Sequence, residues 1–138
     1  MNLNKVHEFE QMIVTLLNVK GWNLEWCGGG FEHFDCIGTT AKGKPVVMEI
    51  KWRKKYYEKK MIEKYKFDKL IEEDAEALYF VADPKGHYIF WLNDLAKQET
   101  VELYCPDTTL WTKKRNNKEC YLLDEKDAHK IHINYATT

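Results

Sequence analysis

The four cysteines of this 138-residue chain, Cys27, Cys36, Cys105 and Cys120, lie far apart, and no two stand in a C-x-x-C spacing. A cysteine-based zinc site is therefore not expected, and reduced thiols are. No apolar run is long enough for a membrane helix, so no membrane partner is expected. The N-terminus lacks the pattern of a secretory signal, and the expected location is cytoplasmic. Internal repeats, low-complexity tracts and linkers are also lacking, which leaves one domain over 1–138. The glycine run Gly28–Gly30 is not followed by Gly-Lys-Ser/Thr, so it is no phosphate-cradling P-loop.

Charge of one sign is scarce overall but not locally. The chain carries a formal net charge of −1, yet Lys42–Lys69 holds eleven basic residues against four acidic ones. From Ile71 onward the chain is net acidic. Such segregation suits a face that meets a polyanion, although a lysine-rich helix can equally be a solvated one.

"VHEFEQMIVTLL" places Val6, Phe9, Ile13, Leu16 and Leu17 at helical spacing, and Gly21 ends the helix. "WNLEWC", "HFDCIGT" and "KPVVMEIKWR" read as strands. A long helix is expected over Lys55–Glu73, with Phe67 and Leu70 in the core. "ALYFVAD" and "HYIFWL" follow as strands around Pro84-Lys85-Gly86. Asn93 is placed to cap a short helix, and Asp124 to cap a last one, "EKDAHKI". The predicted order is α-β-β-β-α-β-β-α, an α/β fold with a central mixed sheet flanked by helices.

The third strand carries chemistry. In "VVMEIKWR", Val46, Met48, Ile50 and Trp52 share one face, and Val47, Glu49 and Lys51 the other. Ala41-Lys42-Gly43 fits a three-residue hairpin loop with glycine at the left-handed position. That turn sets Thr40 opposite Lys44 and Asp35 opposite Glu49, and opposed residues share a face about 5 Å apart at Cβ. Carboxylates so close raise each other's pKa, and a hard divalent cation relieves them. The polar face thus resembles half of a metal site with a lysine beside it. The plainer alternatives are a solvated carboxylate pair and a surface Glu–Lys salt bridge.

Asp35, then Glu49-Ile50-Lys51 on the next strand, after a helix bearing a glutamate, resembles the PD-(D/E)xK nuclease superfamily. "EQMIVTLLNVKGW" is similar to the opening of archaeal Holliday-junction resolvases, and the resemblance covers roughly Val6 to Leu95. Phe34 stands where the superfamily often has proline. The Gln-x-x-x-Tyr element of RecB-type exonucleases is missing after Lys51, which argues against processive exonuclease action. The resemblance implies a restriction-endonuclease-like core and a resolvase-like or phage-type small nuclease. It implies that Asp35, Glu49 and the backbone carbonyl of Ile50 bind Mg²⁺ (or Mn²⁺), and that Lys51 orients or deprotonates the attacking water. The glutamate joining them is Glu10: by helical phase it lies at the edge of the apolar stripe, with Val6, Ile13 and Leu17, whereas Glu8 points away.

Around this set, Lys42, Lys44, Arg53, Lys54, Lys55, Lys59 and Lys60 are the candidate phosphate contacts, with Tyr56, Tyr57 and Tyr65 to pack or stack. His33 can share the face of Asp35 and touch substrate. Lys113–Lys118 reads as a solvated loop, and His129 and His132 as residues of a surface helix. The expected activity is Mg²⁺-dependent hydrolysis of DNA phosphodiester bonds, by an endonuclease that selects DNA structure. A homodimer is the arrangement by which so small a chain would cut both strands. The competing reading is a catalytically silent nucleic-acid- or protein-binding module on the same scaffold, and RNA is a third, weaker substrate.

Overall fold

A computed structural model of the chain describes residues 3–28, 33–95, 100–106 and 115–132. Gly29 and Gly30 of the glycine loop, and Lys113 and Lys114 of the tail run, lie outside the described residues.

Helix α1 spans Leu3–Val19 and buries Ile13, Val14, Leu16 and Leu17. It ends in a paired cap. Gly21 adopts φ +100°, its N–H donates to Asn18 O, and Trp22 N–H reaches back to Leu17 O. A side chain with a Cβ would oppose this left-handed turn. Asn18 then ties the helix to the first strand: its amide donates to Leu24 O at 3.0 Å and accepts from Leu24 N–H at 2.8 Å.

The main sheet holds β1 (Asn23–Trp26), β2 (Cys36–Thr39), β3 (Pro45–Trp52), β5 (Glu76–Asp83), β6 (Gly86–Trp91) and β9 (His129–Ile131), while β4 (Lys59–Glu63) belongs to a second sheet. The spatial order is β1-β2-β3-β5-β6-β9. Only β3 and β5 run parallel; the other neighbours are antiparallel. α1 covers one face, over Met48, Ile50, Leu78 and Phe80.

The opposite face carries Val47, Tyr79, Val81 and Phe90. It is covered by helix α2 (Lys64–Ile71), which buries Phe67 and Leu70, and by a smaller sheet in the order β4-β8-β7, with β7 at Val101–Pro106 and β8 at Arg115–Asp124. The smaller sheet packs Ile62, Tyr121 and Leu123 onto this face.

Three expectations are corrected. The predicted helix over Lys55–Glu73 is instead an extended segment, the strand β4, and a short helix that starts only at Lys64. Its first half alternates between core and solvent, a period of two that favours a strand. Asn93 lies inside a 3₁₀ turn, Leu92–Asp94, and its side chain accepts from Ala77 N–H at 2.7 Å. Asp124 does cap, accepting from Lys126 N–H, but the capped element is a single 3₁₀ turn. His129 then enters β9, so the predicted last helix is an edge strand.

Candidate active site

The β2–β3 hairpin sets the site's geometry. Gly43 adopts φ +84° and donates to Thr40 O, and Thr40 N–H donates to Lys44 O at 2.9 Å. The ladder then pairs Thr39 with Pro45 and Cys36 with Met48. The regular pairing ends there, and Asp35, one residue beyond, lies beside Glu49, close enough for their charges to repel. Asp35 N–H donates to Met48 O at 2.9 Å, and Asp35 Oδ2 accepts Ile50 N–H at 2.7 Å. Ile50 therefore meets Asp35 through its amide.

Glu49 is buried and Lys51 half-buried. Both point to the face that α2 covers. Glu10 comes from α1, on the other side of the sheet; it is only 6 % exposed and accepts Trp26 Nε1–H at 3.0 Å. Glu8, on the outer face of α1, is exposed. The helical phase therefore selects Glu10 as the sequence indicated. Glu10→Gln is expected to impair any cleavage strongly and Glu8→Gln to leave it within a few-fold. Parallel rate measurements check this, and the reverse order would remove Glu10 from the site.

The electrostatics follow from crowding. Burial, then Glu49, then Glu10 push the Asp35 carboxyl up to about 7, against the pull of Ile50 N–H and Lys66. Burial also raises Glu49, opposed by Lys66 and Lys51. The Lys51 ammonium is pulled down, first by burial and then by the cations Lys66 and Arg53. These carboxyls titrate as an interacting set.

A lysine absent from the sequence reading completes the set. Lys66, on α2, places Nζ 3.4 Å from Glu49 Oε1. Burial opposes its charge, but Glu49, Glu63 and Asp35 together hold its pKa above the ordinary value. It lies four residues before the buried Leu70, at the edge of the apolar stripe of α2. Helical phase against Phe67 and Leu70 was the signal that could have found it. At the rim, the His33 ring meets Tyr65 of α2 edge-on at 6.5 Å.

The donor set suits a hard divalent cation. It is all oxygen, it carries excess negative charge where Asp35 faces Glu49, and Mg²⁺ is commonly held by one or two carboxylates with its remaining positions filled by water. No cluster of three or more His, Cys, Asp or Glu ligands is drawn together among the described residues. Glu10 is turned to Trp26 and Glu49 to Lys66. The residues that fit a cation are thus Asp35 and Glu49, with Glu10 adjoining.

The basic candidates separate into groups. Lys54, Lys55 and Lys59 are exposed. Arg53 is half-engaged, Nη2 donating to Met61 O at 3.3 Å. Lys42 and Lys44 sit at the hairpin tip, at the end of β3 away from Lys51, and Lys44 pairs with Glu76 at 3.2 Å. Lys60 is a correction. Its side chain is 3 % exposed, Nζ lies 2.8 Å from Asp83 Oδ2, and it sits over the rings of Tyr56 and Tyr88, 4.3 Å from each centroid. An ammonium so enclosed has no path to a phosphate.

No family model matches the chain, and no curated protein matches it in sequence. Among solved structures it is similar to a Holliday junction resolvase of the archaeal hyperthermophile Archaeoglobus fulgidus. The likeness has a TM-score of 0.59 and 17% sequence identity, and covers 90% of this chain and 89% of that one. At such identity the likeness concerns the fold: this chain has the restriction-endonuclease-like core of that resolvase, the architecture that the resemblance to PD-(D/E)xK nucleases implied.

Proposed function

We propose that this protein is a metal-dependent nuclease that hydrolyses DNA phosphodiester bonds, as an endonuclease selecting DNA structure. The observation that carries the reading is the placement of Asp35 beside Glu49, with Lys51 one pleat further along the strand from Glu49, on a resolvase-like fold. Asp35 and Glu49 would hold Mg²⁺ or Mn²⁺, which when bound polarises a phosphoryl oxygen and acidifies a coordinated water. Lys51 is the group for the proton and the charge. Its Nζ would orient the attacking water or take a proton from it, and its ammonium form would offset charge on the phosphorane. Glu10 braces the acidic cluster from α1. Lys66, from α2, holds Glu49 in place.

Incubation with linear, circular, nicked and branched DNA in Mg²⁺, Mn²⁺ or EDTA tests the reading. Cleavage in metal but not in EDTA is expected; no cleavage of any substrate in either metal would overturn it. The second reading, a silent binding module, draws on Lys66 standing against Glu49 and on the lack of a three-ligand cluster among the described residues. Lys51→Ala separates the two. It should still bind metal and DNA, since one charge is a small part of a multi-phosphate contact. Single-turnover cleavage should fall by at least about a hundredfold. A rate within a few-fold of wild type would leave Lys51 a structural residue.

A further inference from the structure

A cleft of about 500 Å³ is lined by Arg53, Lys55, Tyr57, Lys59, Met61 and Leu122, with Glu58 and Asp83 also in its walls. Met61 pairs with Leu122 across β4 and β8. By strand alternation both lie on the face of the smaller sheet turned away from Lys60, Ile62 and the core. The cleft's floor is therefore apolar, and its rim carries Arg53, Lys55 and Lys59. Tyr57, 61 % exposed, stands in the same wall as these cations.

The walls are fixed before any ligand arrives. Met61 O accepts from both Arg53 Nη2 and Tyr79 Oη, the latter at 2.8 Å, which pins β4 against the edge of β3 and the face of β5. Lys60 and Asp83, which also line the cleft, pair through buried side chains and hold the same strand. Arg53 follows Lys51 by two residues on one strand, a chain distance of about 7 Å. Arg53 is thus the residue through which the cleft adjoins Lys51.

We propose that this cleft receives an unpaired stretch of a DNA strand, so that the substrate carries single-stranded DNA next to the bond to be cut. The inference rests on the nuclease reading and names its substrate class. The size of the cleft is that of sites enclosing one drug-sized molecule, enough for a nucleotide or two and far too narrow for a duplex. The pattern is the one that takes a single strand: cations for phosphates beside an aromatic and apolar surface for base faces. In a duplex those faces are hidden by stacking, and Tyr57, Met61 and Leu122 would have nothing to cover.

The test uses the full chain in EDTA, with a fluorescein-labelled oligothymidine of about ten nucleotides, within the span of single-strand sites, and a hairpin duplex of matched charge. The wild type should bind the oligothymidine at least as tightly as the duplex. Tyr57→Ala should weaken oligothymidine binding about tenfold, the scale of one lost base–aromatic stack, and leave duplex binding within twofold. Tyr57→Phe should restore it. In Mg²⁺, a forked DNA should be cut faster than its blunt duplex, and Tyr57→Ala should remove that preference. Equal weakening on both DNAs, or on neither, would overturn the inference and leave the nuclease reading standing. Tyr57-dependent strand binding with no cleavage of any DNA in Mg²⁺ or Mn²⁺ would support the cleft as a strand site and overturn the nuclease reading alone.

Discussion

Asp35→Asn is expected to abolish cleavage and, at about pH 8, to make the protein more stable. In the folded chain the Asp35 carboxyl is pushed up to about 7 by burial and by Glu49, whereas an unfolded aspartate titrates near 3.9. Between those values the native state holds a proton that the unfolded state has released. Stability therefore falls as pH rises through this window, and above about 7 the whole penalty is present. Asparagine carries no charge and keeps an oxygen for Ile50 N–H. A shift of three units corresponds to about 4 kcal/mol in full; partial exposure and interaction with Glu49 reduce this to roughly 1–3 kcal/mol, or several degrees in melting temperature. The gain should shrink toward about pH 5. Mn²⁺ should raise the melting temperature of the wild type at about pH 8, by binding the folded state alone, and should leave the variant unmoved. Cleavage should fall by about three orders of magnitude, the scale of several kcal/mol of lost charge stabilisation. Melts at the two pH values, with and without Mn²⁺, decide the matter. A variant less stable than wild type at about pH 8, or one that still responds to Mn²⁺, would remove Asp35 from its proposed role.

Lys60→Met is expected to destabilise the fold by about 3–5 kcal/mol, the usual result of stripping one partner from a buried ion pair. The Asp83 side chain is 1 % exposed and lies 2.8 Å from Lys60 Nζ, with Glu125 at 3.5 Å. Without the ammonium, Asp83 keeps the N–H donors of Lys85 and Gly86, both on Oδ1, and Oδ2 loses its ammonium. Tyr88 would lose the cation over its ring as well, while Tyr56 would keep that of Lys85, 3.9 Å from its centroid. Urea unfolding measures the loss, and a companion Asp83→Asn change should recover part of it because the two sites interact directly. A loss under about 1 kcal/mol would show that water already reaches the pair. DNA affinity reports the same assignment from the other side. Lys59→Gln should flatten the slope of log affinity against log salt by up to about one unit, while Lys60 variants that still fold should not.

The parts of the site that could be read in the sequence were those governed by local geometry. One glycine at a left-handed turn position fixed the hairpin register, and with it the meeting of Asp35 and Glu49, each six residues from the loop. Helical period alone separated Glu10 from Glu8. The parts that could not be read depended on partners distant in the chain. β4 pairs with β8 some sixty residues later, Lys59 with Asp124 and Glu63 with Cys120. Its inward position is filled by a lysine, which breaks the alternation of apolar residues that marks a strand. The charge of Lys60 is matched only by Asp83 and Glu125, far along the chain. Lys66 could be phased against Leu70 four residues on, but its contact with Glu49 depends on how α2 packs on the sheet, which the local pattern does not carry.

The pairing of β4 with β8 also bears on how the chain assembles. β1, β2, β3, β5 and β6 are contiguous in order apart from the β4–α2 crossover, so that portion of the main sheet can form as soon as residue 91 has been synthesised. β4 must then wait, with an unpaired edge, until residues 115–124 arrive. Contacts of such long sequence separation form late, and an unpaired strand is open to wrong partners in the meantime. During synthesis the hairpin that brings Asp35 opposite Glu49 therefore precedes the outer wall of the neighbouring cleft. A ribosome stalled before β8 would display the acidic face with its companion sheet still missing.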